Sequence, residues 1–121
     1  MKNRGLIGAS TVDNNSCEGI KDATVELVNA IISKNEINLE DVAFAIFTVT
    51  SDIDEAFPAK FAREYCNFKD IPMMCYREME VKNSIKMCLR ALITVNTDKT
   101  QKEIKHQYLK GASHLRPDIT E

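Results

Sequence analysis

Apolar residues recur along the first third of the chain at two spacings, one typical of strands and one typical of helices. Residues 2–9 predict a short strand. Asn15 followed by Glu18 resembles a helix start, and apolar residues after it recur at helical spacing. Lys34 and Asn35 suit the end of that helix. The apolar positions of the predicted helix are Ile20, Ala23, Leu27, Val28, Ile31 and Ile32.

The middle of the chain predicts two more strands separated by a second helix. Residues 43–50 are apolar on both faces and rich in β-formers, which favours a central, buried strand. Pro58 fits the first turn of a helix over roughly 58–67, because the missing N–H is not needed there. Residues 71–79 predict a third strand that starts at a proline.

The last third of the chain predicts the longest strand, over residues 86–96. Its alternate positions form a wholly apolar face and a mixed face that carries Arg90. A polar turn and a short helix are predicted within residues 97–109. From about residue 111 the tail is predicted to be irregular, because Pro117 ends any regular element.

Length and composition fit one α+β domain over residues 1–121, with a mixed β-sheet packed by helices. The net charge of −2, without a long basic run, argues against nucleic acid as a partner. No apolar stretch approaches the roughly 20 residues that span a bilayer. The N-terminus also lacks the apolar core of a signal peptide, so a cytoplasmic protein without a membrane partner is predicted.

The four cysteines do not form a C-x-x-C pair, so a zinc or redox motif is not supported. In a reducing compartment we expect free thiols, most of them packed as small apolar residues. Neither a metal nor an organic cofactor is predicted.

Arg90 is the most informative single residue, because a buried arginine without a partner costs free energy. One interpretation is a structural ion pair with Glu78 or Glu80. The other is a site for an anion. The position of Arg90 opposite the apolar face suits a pocket or a subunit interface.

Other polar residues have ordinary structural explanations when each is taken alone. Cys75 as a nucleophile needs a base such as His106 or His114, and the sequence places neither beside it. Lys60 and Arg63 fit the solvated face of a helix. The residues alone therefore indicate a small α/β domain whose cations could meet an anionic ligand.

A series of short motifs, spread over nearly the whole chain, is more specific than any single residue. In chain order they are Gly8-Ala9-Ser10-Thr11-Val12, Phe57-Pro58-Ala59-Lys60 with Arg63, Cys75-x-x-Glu78-Met79, Lys86-x-Cys88-x-Arg90, Thr94-Val95-Asn96-Thr97-Asp98, His106-x-Tyr108-Leu109 and Leu115-Arg116-Pro117-Asp118. Together they resemble the monofunctional chorismate mutases of the Bacillus type, the AroH class.

The resemblance implies a homotrimer with a pseudo-α/β-barrel core and active sites between adjacent subunits. It implies an isomerase, an intramolecular transferase, that converts chorismate to prephenate in the shikimate pathway of aromatic amino-acid biosynthesis. That rearrangement is pericyclic and needs no covalent intermediate, metal or cofactor. The partners implied are chorismate, prephenate and further copies of the chain.

The resemblance also implies roles for particular residues. Arg90 is the catalytic cation at the breaking ether oxygen, and Glu78 accepts a hydrogen bond from the ring hydroxyl. The substrate-binding positions implied are Tyr108, Cys75, Phe57, Lys60, Arg63, Met73, Met74, Leu115, Arg116 and position 7.

Position 7 departs from the family pattern, because Ile7 stands where the family usually has arginine. Arg4 is three residues earlier and points to the opposite face of a strand, so it is not an easy substitute. Losing a charged hydrogen bond costs about 1.5–3 kcal/mol. A weakened chorismate mutase is the main hypothesis. The alternatives are a non-catalytic trimer of the same fold that binds a small anion, or a trimeric imine/enamine deaminase-like protein.

Overall fold

The computed structural model describes residues 1–117, which fold into one mixed sheet and two α-helices. The strands are β1 (Lys2–Thr11), β2 (Val42–Val49), β3 (Met73–Arg77), β4 (Cys88–Thr97) and β5 (Gln107–Leu109). The helices are α1 (Cys17–Lys34) and α2 (Pro58–Tyr65), and three single 3₁₀ turns cover Leu39–Asp41, Gln101–Glu103 and Lys110–Ala112.

The five strands have the order β3-β2-β4-β1-β5. β4 runs antiparallel to both of its neighbours, whereas the two edge strands, β3 and β5, run parallel to β2 and β1. This arrangement confirms the predicted α+β class with a mixed sheet packed by helices.

Helix α1 begins one residue later than its start signal suggests, because Ser16 rather than Asn15 is the N-cap. The Ser16 hydroxyl accepts a hydrogen bond from the Gly19 N–H at 3.0 Å. The helix ends at Lys34, as predicted. Its buried residues join one face of the sheet in a single core. No helix within residues 1–117 is long and apolar enough to cross a membrane.

The helices cover one face of the sheet, and the opposite face exposes large apolar side chains. In the isolated chain Phe44 is 39% exposed, Met74 56% and Leu92 37%. We call this surface the open face. Strand β2 is interior to the sheet, as predicted, but its predicted burial on both faces is wrong for a single chain, because Phe44 lies on the open face. An apolar patch of this kind is typical of a surface that another protein covers.

The last strand was not predicted. Residues 97–109 give only a 3₁₀ turn at Gln101–Glu103, and the residues predicted to complete a helix form β5 instead. The reason is tertiary, since β5 pairs with the outer edge of β1, whose backbone groups need partners. The predicted irregular tail begins with the turn at Lys110–Ala112, and its last part, residues 118–121, lies outside the described residues.

Candidate active site

One transverse row of the sheet brings Arg90 and Tyr108 onto the same face. Arg90 is aligned with Thr48 on one neighbouring strand and with Ala9 on the other, and Ala9 is aligned with Tyr108. Side chains of residues aligned across neighbouring strands point to the same face. Arg90 therefore lies on the open face, as its alternation predicted, and the buried ring of Tyr108 lies two strands away.

Glu78 and Thr48 hold Arg90 in place. The Nε of Arg90 lies 3.2 Å from Oε2 of Glu78, and the Thr48 hydroxyl donates to the same oxygen at 2.8 Å. Glu78 follows β3 directly, and its backbone N–H donates to the Val49 carbonyl at 2.7 Å. Of the two ion pairs considered for Arg90, the structure forms the one with Glu78.

The ion pair of Arg90 and Glu78 has hydrogen-bonding atoms that could still contact a ligand. The side chains of Arg90 and Glu78 are 36% and 28% exposed, so the pair is accessible from the open face. The Arg90 Nε is buried, and within residues 1–117 it has no aligned hydrogen-bond acceptor, although Glu78 is close. Both contacts to Glu78 fall on Oε2, and no described residue donates to Oε1. The pair can therefore offer a cation and an acceptor to one polar ligand.

Ile7 lies on the open face, next to this pair. It is aligned with Leu92, and it stands two residues before Ala9 on the same strand. Ile7 is half-buried against a small apolar cluster that also contains Tyr108 and Leu115. The Ile7 N–H donates to Nδ1 of His106 at 3.1 Å.

Arg4 does not replace the missing cation at position 7. It is aligned with the core residue Val95, and its Nε donates to the Lys99 carbonyl at 3.0 Å. The predicted opposite orientation of Arg4 is confirmed. The chain thus leaves position 7 apolar.

The C-terminal segment adds a cation close to His106. Burial lowers the pKa of His106, and the positive charge of Arg116 lowers it further. The imidazole is therefore neutral at neutral pH. Arg116 itself is exposed, and Leu115 is half-buried against the cluster that contains Tyr108.

The remaining predicted site residues gather at the other edge of the sheet, around α2 and β3. Phe57 precedes Pro58 at the start of α2 and is 72% exposed. Lys60 and Arg63 extend from the exposed face of α2. A cavity of about 400 Å³ lies beside Phe57 and Cys75. Met73 is half-buried against the core, whereas Met74 is exposed on the open face.

Cys75 lies on the helix-covered face of the sheet. It is aligned with Phe47, which is aligned with Ala91, so its side chain points away from the Arg90 side. Burial raises the pKa of Cys75, and the backbone of Ala59 and the charge of Arg63 only partly oppose this. Cys75 is therefore a neutral thiol, which disfavours its interpretation as a nucleophile.

The predicted site residues thus form two groups. One group extends along the open face from the end of β3 to β5 and the segment after it, and consists of Ile7, Glu78, Arg90, Tyr108, Leu115 and Arg116. The other group lies around β3 and consists of Phe57, Lys60, Arg63, Met73, Met74 and Cys75. One chain does not bring the two groups into a single cavity, because the sheet separates Cys75 from Arg90.

Sequence reasoning missed two residues of the first group. The Thr48 hydroxyl donates a hydrogen bond to Glu78. The polar Thr48 in an otherwise apolar strand was the sequence feature that could have indicated this role. His106 was considered only as a base for Cys75, whereas the structure places it against Ile7. His106 and Ile7 are far apart in sequence, so no local pattern could connect them.

Known proteins that this chain resembles in sequence and in structure are chorismate mutases. The family model described as chorismate mutase type I matches residues 3–119. Chorismate mutase AroH of Bacillus subtilis strain 168 is 38% identical over 120 residues, which cover 99% of this chain and 94% of that protein. Chorismate mutase AroH of Thermus thermophilus is 40% identical over 117 residues, covering 96% and 95%. A solved structure of a chorismate mutase from Clostridium thermocellum has 41% identity and a TM-score of 0.86, covering 89% of this chain and 96% of that one.

Proposed function

This chain belongs to the type I chorismate mutase family, and we propose that it rearranges chorismate to prephenate at a site shared between subunits. It is an isomerase of aromatic amino-acid biosynthesis. The observation that carries the site assignment is the half-exposed ion pair of Arg90 and Glu78, which Thr48 supports on the open face. Family membership does not favour the non-catalytic or deaminase-like alternatives.

The reaction sets modest chemical demands on the protein. A C–O bond breaks while a C–C bond forms within one molecule, so no atom is transferred to or from the enzyme. The protein can accelerate this step by holding the dicarboxylate in its compact, reactive conformer. It can also place fixed positive charge where the ether oxygen becomes negative.

Arg90 supplies that positive charge. A guanidinium stays ionised and presents five N–H donors in a rigid fork. The contact of its Nε with Glu78 fixes one edge of the group, which leaves the terminal nitrogens for the ether oxygen and the side-chain carboxylate. Because Thr48 holds Glu78, the charge is in place before substrate binds, and little reorganisation is needed in the transition state.

Glu78 and Tyr108 orient the substrate. Oε2 of Glu78 is occupied by Arg90 and Thr48, so Oε1 accepts the hydrogen bond from the ring hydroxyl. Tyr108 binds the side-chain carboxylate from the same transverse row as Arg90, two strands away. These contacts place the ether oxygen of chorismate over Arg90.

A neighbouring subunit supplies the second group of site residues. Cys75 points to the helix-covered side of the sheet and Arg90 to the open face, so a head-to-tail contact between copies would bring the two groups together. Repetition of one such heterologous contact closes into a ring, and the family resemblance implies three copies. The exposed apolar side chains of Phe44, Met74 and Leu92 form the surface that this ring buries.

At the mouth of that cleft, cations attract the ring carboxylate. Lys60 and Arg63 come from one subunit and Arg116 from its neighbour. Phe57 and the backbone at Met73 and Met74 form the apolar wall, with Cys75 close to the bound hydroxyl. The exposure of Phe57 in a single chain supports this arrangement, since an aromatic ring at a subunit contact gains buried area on assembly.

Purified protein mixed with chorismate tests the function directly. We expect chorismate to disappear and prephenate to form. Absorbance and proton NMR measure both changes. Arg90→Gln protein is the matched control, because its side chain keeps a polar donor but not the charge. A folded, oligomeric wild-type protein that leaves chorismate at the uncatalysed rate would contradict the proposal and favour an anion-binding role.

A further inference from the structure

We propose that His106 binds substrate, and that its Nε2–H donates to the side-chain carboxylate beside Ile7, the position where the family usually has arginine. The inference rests on the proposed function, because it assigns a further residue to the same site. It assigns to a neutral ring the contact that an arginine at position 7 would otherwise make.

The tautomer of His106 follows from one backbone contact. The Ile7 N–H donates to Nδ1 at 3.1 Å, so Nδ1 presents its lone pair and carries no proton. The ring is neutral at neutral pH, since burial and Arg116 both lower its pKa. The single proton of a neutral imidazole must then be on Nε2, which is a donor.

One backbone hydrogen bond orients the ring of His106 at the edge of β1. The outer edge of β1 is paired with β5 at residues 8–10, and the side chain of Gln101 pairs with both backbone groups of Gly5, at 2.8 and 3.3 Å. His106 fills the gap between these two contacts by accepting from Ile7. This contact favours one orientation of the Nε2 donor before any ligand arrives, which lowers the entropic cost of binding.

The position of His106 along the chain also relates it to the residues predicted to bind the carboxylate. His106 stands two residues before Tyr108, so in an extended chain the two side chains share one side. Its ring contacts the backbone N–H of Ile7, whose side chain is on the open face with Arg90. His106 is half-buried, and within residues 1–117 the contact with Ile7 is the one hydrogen bond that its ring makes.

Two nearly isosteric variants separate substrate binding from a structural role. In His106→Asn the side-chain oxygen stands near the place of Nδ1 and can still accept from Ile7, but the distal donor is lost. In His106→Gln the amide nitrogen stands near the place of Nε2, but the acceptor for Ile7 is lost. The first variant tests the ligand contact and the second tests the backbone contact.

We expect His106→Asn to lose about 10- to 100-fold in kcat/KM, the scale of one hydrogen bond to a charged group, with little change in Tm. We expect His106→Gln, which keeps a distal donor but loses the contact that orients it, to have a kcat/KM between those of His106→Asn and wild type, with a lower Tm. Wild-type kcat/KM in His106→Asn, alongside an active wild-type enzyme, would overturn the inference and leave the proposed function intact.

A binding measurement tests the inference even if the wild-type protein shows no turnover. This chain has two histidines, so ¹⁵N-labelled histidine gives two ring spin systems, and the exposed His114 serves as an internal reference. Added prephenate should shift Nε2 of His106 while Nδ1 keeps the chemical shift of an acceptor. An unchanged Nε2 up to millimolar prephenate would overturn the inference.

Discussion

Arg90 and Thr48 meet the same atom, Oε2 of Glu78, at 3.2 and 2.8 Å respectively. A half-exposed ion pair of this kind contributes at most about 1 kcal/mol to folding, so its value is not mainly structural. Its effect is to hold a guanidinium at a fixed place on the open face.

Replacing Arg90 by Gln should lower kcat by roughly 100- to 1,000-fold. In other enzymes, loss of one preorganised donor to a developing negative charge has an effect of this size. Prephenate affinity should fall much less, because only interactions stronger in the transition state raise turnover. Steady-state kinetics and calorimetry with prephenate measure the two effects. Lys60→Gln is the control, and it should mainly raise KM. If Arg90→Gln kept its kcat and only raised KM, Arg90 would be a docking residue.

Replacing Ile7 by Arg should raise kcat/KM by roughly one to three decades, the scale of one or two charged hydrogen bonds. Ile7 is half-buried at the edge of the open face rather than in the main core, so the new cation should be tolerated. Chorismate loss and Tm measured on the same sample check both expectations. Ile7→Met controls for the change in size and should give no gain.

Ile7→Arg should raise kcat/KM more when residue 106 cannot donate a hydrogen bond to the substrate. In a double-mutant cycle, Ile7→Arg should raise kcat/KM by a larger factor in the His106→Asn background than in wild type, because both groups serve one carboxylate. Additive effects would show that positions 7 and 106 act independently.

Sedimentation should give a mass near three times 13.7 kDa. Leu92→Glu should dissociate the assembly, because it places a charge on the open face, where Leu92 is 37% exposed in the single chain. Tyr65→Glu is the control, since Tyr65 is also exposed but lies on α2, across the sheet, and this variant should remain assembled. A monomeric wild-type protein at micromolar concentration contradicts the shared site.

Replacing Cys75 by Ala should leave more than about a tenth of the wild-type kcat, because loss of one neutral contact costs about 0.5–1.5 kcal/mol. Burial raises the pKa of Cys75, which keeps its thiol mainly neutral at neutral pH and disfavours a nucleophilic role. Initial rates on assembled protein measure the effect. Complete loss of activity in a folded, assembled variant would instead favour a covalent role.

The sequence alone determined the features that depend on local periodicity. The alternation in β4 placed Arg90 on the face opposite the apolar set. The helical spacing after Asn15 predicted α1, and Lys34 and Asn35 marked its end. Pro58 marked the start of α2. Such features are predictable because a strand or helix repeats every two or every 3.6 residues, whatever it packs against.

Only the tertiary structure decided how these elements combine into a site. Residues 107–109 became a strand because the edge of β1 needed backbone partners, and that pairing aligned Tyr108 with Ala9 beside Arg90. The same pairing put His106 against Ile7, a contact across most of the chain. Strand register joins residues that no local pattern relates, since it is set by long-range pairing and by which face is buried.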